Sequence, residues 1–110
     1  MDHRLRKNNE FTYIYKKGEK FHTDNFVLFV VKSRYPNYKI GFSISKKLGK
    51  ANKRNLLKRR MREITRRYID IPSFYNYVVL AKDNAMTLDF VGIKNELTSL
   101  FEKYEKKKQI

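Results

Sequence analysis

The spacing of apolar residues changes along the chain, and each change marks an element. Phe11, Ile14 and Tyr15 fall on one side at steps of three and four, which predicts a short helix from Asn9 to Lys17. Asn8 or Asn9 can cap it and Gly18 can end it. FVLFVV (Phe26–Val31) is an unbroken apolar run of branched and aromatic residues, the mark of a strand covered on both faces. Arg34-Tyr35-Pro36-Asn37 reads as a turn. From Lys39 to Ser45 the pattern alternates, with Ile40, Phe42 and Ile44 on one face and Lys39, Gly41, Ser43 and Ser45 on the other. These two strands are expected to pair as a hairpin. Leu56, Leu57, Met61, Ile64 and Tyr68 form one helical stripe between Asn52 and Tyr68. Pro72 ends that region. Tyr75–Lys82 reads as a strand. Phe90, Ile93, Leu97, Leu100, Phe101 and Tyr104 define a last amphipathic helix, with Thr87 as its cap. Phe26, Phe42, Phe90 and Phe101 are assigned to the core.

With an extra short strand near Lys20–His22 the order is αβββαβα, which predicts an α/β (α+β) two-layer sandwich. The 110 residues form one domain. Residues 1–7 are expected to be a loose basic arm and residues 105–110 a frayed tail. There are no repeats, linkers or low-complexity segments. The hydrophobic share, 41%, is enough for one core, and no apolar run is long enough to span a bilayer. MDHRLRKNNE has no apolar centre and is not a secretory signal. The absence of cysteine excludes a disulfide scaffold and thiolate metal sites, and fits a cytoplasmic location.

Charge narrows the choice of partner. The formal net charge is +15, and much of it lies in SKKLGKANKRNLLKRRMREITRR (Ser45–Arg67), where Glu63 is the only acid. At about 100° per residue, Arg54, Lys58, Arg62 and Arg66 form a drifting row beside the apolar stripe, with Asn55 and Arg59 adjoining. A solvated charged face is the bland reading. Such faces usually pair cations with acids one turn away; here the neighbours are almost all cations, so a polyanion is the expected partner. Nucleic acid leads, because neutralising phosphates releases counterions, and an anionic membrane surface trails. Lys46, Lys47 and Lys50 lead into the helix, whose first N–H groups can also hold an anion.

Phe11, Tyr15 and Phe29, flanked by Lys16, Lys17 and Lys32, fit either core packing or a groove where single-stranded RNA stacks. Catalysis by the protein is not indicated. His3 and His22 read as exposed imidazoles, the carboxylates are scattered, and the glycine pattern around Gly49 is not that of a P-loop. A structural RNA-binding protein of the ribosome, a DNA-binding architectural protein and a stand-alone nuclease are the other classes considered.

Ser45-Lys46-Lys47, Gly49, Ala51, Arg54-Asn55, Lys58-Arg59 and Arg62-Glu63 together resemble the signature SKK-x-G-x-A-x-x-RN-x-x-KR-x-x-RE of the protein subunit of bacterial ribonuclease P. Asn9-Glu10-Phe11 and Tyr15-Lys16-Lys17-Gly18 are similar to the opening helix of that family. Asn52 departs from it, standing where an apolar residue is usual, with an expected loss of packing at the helix start. The resemblance implies a fold like the second domain of ribosomal small-subunit protein five, with a left-handed βαβ crossover. It also implies a ribonucleoprotein whose RNA subunit uses Mg²⁺ to remove the 5′ leader of precursor tRNA, the protein alone being inactive. The implied contacts to the RNA subunit are Lys46, Lys47, Lys50, Arg54, Asn55, Lys58, Arg59, Arg62 and Arg66. Those to the precursor tRNA leader are Phe11, Tyr15, Lys16 and Phe29. No catalytic or metal-binding protein residue is implied, and neither membrane nor DNA is an expected partner.

Overall fold

Strands β1 (Glu19–His22), β2 (Phe26–Lys32), β3 (Ile40–Ile44) and β4 (Tyr75–Ala81) form one sheet in the order β1-β2-β4-β3. The computed structural model describes residues 3–69 and 73–108. Helices α1 (Asn8–Lys17), α2 (Ala51–Thr65) and α3 (Phe90–Lys108) complete the αβββαβα order. The expected hairpin is corrected: β2 and β3 do not pair. β4 lies between them, antiparallel to β2 and parallel to β3. The physical reason is burial. Tyr77, Val78 and Val79 of β4 are almost wholly enclosed, which requires a central position with both faces covered. β3 carries Gly41 and Ser43 on one face and is placed at the edge. The short β1 takes the hairpin role beside β2.

β2 is buried on both faces, as its unbroken apolar run predicts. Phe26, Leu28 and Val30 join Tyr77 and Val79 beneath α2 and α3, against Leu57, Met61, Ile64, Leu97 and Phe101. Val27 and Phe29 face the other way, with Val78 and with Ile14 of α1. The larger body is therefore the sheet with α2 and α3, and α1 lies across the opposite face. Met61 has no exposed surface, so truncating it to Ala would cost about 2–5 kcal/mol.

Several local expectations are revised. Residues 3–5 are not a loose arm. His3 and Leu5 bracket Ile40 through backbone hydrogen bonds, extending the sheet beside β3, and Leu5 is buried. His3 is not free in solvent either. Its ring stacks on Tyr38 at 3.9 Å, and Nδ1 donates to the Tyr38 carbonyl at 2.7 Å. The N-cap of α1 is Lys7, which provides no side-chain bond, rather than either asparagine. α2 ends at Thr65, and Leu56 turns outward, 37% exposed. Phe90 is also outside the core, with the Arg60 guanidinium 6.0 Å from its ring centroid. Asp89 caps α3 in place of Thr87, its Oδ1 accepting from the Gly92 N–H. That helix continues through Lys108, past the expected start of the tail. Pro72, and residues 1–2 and 109–110 of the expected arm and tail, lie outside the described residues.

Candidate nucleic-acid interface

The passage from β3 into α2 is built by backbone constraints. Ser45 Oγ accepts from the Lys47 N–H at 3.2 Å, closing a 3₁₀ turn over Lys46–Leu48. Gly49 follows at φ 153° and ψ −170°, a region open in practice only to glycine. Its carbonyl accepts from Arg54 Nε at 3.1 Å. One edge of the guanidinium is thereby fixed, and the rest of its fork remains for bidentate phosphate contact. Lys50, the N-cap of α2, makes no side-chain cap; Asn52 Oδ1 takes the Lys53 N–H, and the N–H groups of Ala51 and Asn52 suit an external anion.

Along α2 the basic residues stay at the surface while Leu57, Met61, Ile64 and Thr65 go inward. Asn55, Arg59, Arg62 and Arg66 are exposed, and Arg54 and Lys58 are half-buried. Lys46, Lys47 and Lys50 are exposed before them. Among the described residues none of these cations forms an ion pair; the pairs Lys39–Glu10 (3.5 Å) and Lys107–Glu19 (2.6 Å) lie elsewhere. Asn52, Asn55, Leu56, Lys58, Arg59 and Arg62 line one groove of about 590 Å³. Asn52 is exposed and its Oδ1 accepts from the Lys53 N–H. No core contact is lost by a polar residue there, contrary to expectation. The outward Leu56 gives the groove an apolar patch among cations.

Toward its end, α2 brings Arg62 and Arg66 to a hollow of about 190 Å³ shared with His3, Tyr38 and Phe42. Burial raises the Tyr38 pKa, and the Arg66 charge partly opposes this. Nothing in the sequence pattern pointed to this junction, because its parts come from residues far apart in the chain.

The aromatic set gathers across the sheet. Tyr15 meets Phe29 edge-on at 4.9 Å between centroids, and Phe11 lies 6.4 Å from Tyr15. Phe11 and Tyr15 are half-buried and Lys16 is exposed. Phe29 is only 6% exposed, with Tyr15 at one side and Lys20 Nζ 5.7 Å from its ring centroid. Phe29 thus lies beneath the set, while Phe11 and Tyr15 keep part of their surface accessible. Gly41 is the residue that sequence reasoning overlooked here. A Cβ at that position would strike the Phe11 ring and come within 3.1 Å of Leu5 Cβ. Its place on the polar face of an alternating strand was the available signal.

Among the described residues, no three His, Cys, Asp or Glu side chains converge as a metal-holding group, and no helix is long and apolar enough to cross a membrane.

The comparisons with known proteins agree with this geometry. The family model described as Ribonuclease P matches residues 1–105. A ribonuclease P protein component from a Nitratiruptor species is 38% identical over 104 residues, covering 94% of both chains. One from Clostridium botulinum (strain 657 / Type Ba4) is 34% identical, covering 93% of this chain and 94% of the relative. The RNase P protein of Thermotoga maritima superimposes with a TM-score of 0.78 at 30% identity, over 91% of this chain and 96% of that one. A Staphylococcus aureus RNase P protein mutant, described as defective in mRNA degradation activity, gives 0.83 at 30% identity, over 94% and 88%. The chain therefore belongs to the ribonuclease P protein component family, the protein part of a ribonucleoprotein endoribonuclease of tRNA processing.

Proposed function

We propose that this protein binds the catalytic RNA subunit through Lys46, Lys47, Lys50 and the exposed face of α2, and grips the single-stranded 5′ leader of precursor tRNA between α1 and the sheet. The observation that carries the reading is the row of cations, without acidic partners among the described residues, on a helix whose other side is buried, Arg54 being anchored by the Gly49 carbonyl. Such a face lowers the repulsion between a polyanionic ribozyme and a polyanionic substrate. Phe11 and Tyr15 supply ring surface on which any base can stack, so leaders of varied sequence are accepted. Lys16 adds a phosphate contact at the rim. Mg²⁺ is held by the RNA subunit and substrate, and RNA performs the cleavage. The chain works in the cytoplasm, with neither membrane nor DNA as a partner. A structural ribosomal RNA-binding role gives no account of the cleft and is not favoured.

Leader dependence tests this reading. Holoenzyme affinity is measured for precursor tRNA as its leader is shortened, with wild-type protein and with Phe11→Ala or Tyr15→Ala. Each variant should lose about 1–3 kcal/mol, one stacked base, on the full leader and nothing on mature tRNA. Equal losses on both RNAs would remove the leader assignment.

A further inference from the structure

We propose that a second groove, between the C-terminal ends of α1 and α3, binds single-stranded RNA independently of the α1–sheet cleft. It measures about 520 Å³, and its lining includes Tyr13, Lys17, Phe21, Lys32, Tyr75 and Lys107. Tyr13 and Lys17 are one turn apart on α1. At about 100° per residue they project from the side away from Phe11 and Tyr15, so the two sites flank the same helix.

The walls combine what an unpaired strand requires. Tyr13 is 55% exposed and offers ring surface. Deeper in, Tyr104 holds Phe21 and Tyr75 edge-to-face, at 5.9 and 6.1 Å between centroids, fixing an aromatic wall. Lys17 and Lys32 make no ion pair among the described residues. Glu19, the one acid of the lining, is neutralised by Lys107 at 2.6 Å. The groove is therefore cationic overall and complements phosphate. At the same end of the sheet, Tyr35 and Phe74 are 69% and 50% exposed. The loops bearing them are joined by the Ser33 N–H donating to the Phe74 carbonyl at 2.7 Å. Open ring faces beside lysines suit unstacked bases on a phosphate backbone; a regular duplex keeps its bases stacked and presents only charge.

Binding of a fluorescent oligouridine of about ten nucleotides to the full chain, read by anisotropy, tests this. Tyr13→Ala should weaken binding about fivefold and Lys32→Glu about tenfold. Lys94→Glu, an equal charge reversal on the exposed surface of α3, should cost less than twofold. Circular dichroism checks that each surface variant is folded. With thiouridine in the strand, photo-cross-links should form at Tyr13 or Tyr75 and persist when Phe11 and Tyr15 are both Ala. That arm keeps the groove separate from the leader cleft. The proposal fails if Tyr13→Ala and Lys32→Glu match Lys94→Glu, or if cross-links fall only on α2 and the cleft. It also fails if an RNA duplex or an acidic peptide competes as well as the single strand, since charge alone would then account for binding.

Discussion

The ring of Phe11 rests against the backbone of Gly41, in space that any side chain at that strand position would occupy. α1 packs on β2 and β4, and the Phe11 ring reaches from it to β3, so the sheet sets which side of the ring is accessible. Gly41→Ala should push the ring outward and destabilise the fold by about 1–3 kcal/mol, the usual cost of overpacking. Thermal unfolding checks the stability loss. Precursor tRNA affinity should fall while mature tRNA affinity holds, and unchanged precursor affinity would show that the ring position is irrelevant to binding.

Arg54 and Arg62 belong to the same helix but differ in support. Arg54 is tied to the Gly49 carbonyl; Arg62 lies exposed between the α2 groove and the hollow beside Tyr38. Either change to Ala should weaken association with the RNA subunit and lower the slope of log affinity against log salt by about one. A titration across salt concentrations reads both. A weaker complex with an unaltered slope would mean that no phosphate contact was lost.

Gly49→Ala tests the junction itself. The φ of 153° is hostile to any side chain, so the substitution should cost about 1–3 kcal/mol and loosen the Arg54 anchor. The neighbouring Met86 Cε leaves room for a methyl group at 3.4 Å, so strain rather than collision is the expected cause. Denaturant unfolding should show the loss, and RNA-subunit affinity should fall with it. Wild-type stability in this variant would contradict the assigned backbone conformation.

Much of this was legible from the chain because it depends on local period. Leu57, Met61 and Ile64 at helical spacing fixed the buried side of α2 and therefore its basic side. The unbroken run in β2 announced its two covered faces. What failed required knowledge of distant partners. β4 displaces β3 from β2 because two covered faces stabilise its apolar run more than an edge position would, and no turn signal records that. Leu5, one apolar residue in a basic stretch, gave no period, yet it pins the segment ahead of α1. Leu56 and Phe90 matched the apolar stripes and still turned outward, because the α2–α3 seam is narrower than those stripes. Phe29 belongs to the aromatic set but supports it from below, a distinction made only by burial.

Alkaline pH should unfold the protein through its buried tyrosines. Burial raises the pKa of Tyr38, Tyr77 and Tyr104 above the ordinary 10.0; at Tyr77 the hydrogen bond with Ser73 Oγ at 3.0 Å partly opposes this. Below pH 10 folded and unfolded chains both keep these protons. Above it the unfolded chain releases protons that the folded chain retains, so stability falls as pH rises. Tyrosinate absorbance and circular dichroism followed together should show these three groups ionising with the loss of structure. Ionisation of all eight tyrosines in a chain that stays folded would contradict it.

The most direct measurement is cleavage of precursor tRNA by a bacterial ribonuclease P RNA at low Mg²⁺, with and without the purified protein. The expected result is strong stimulation by the protein, relieved by raising Mg²⁺, and no cleavage by the protein alone. Cleavage by nucleotide-free protein, or a ribozyme indifferent to its presence, would contradict the account.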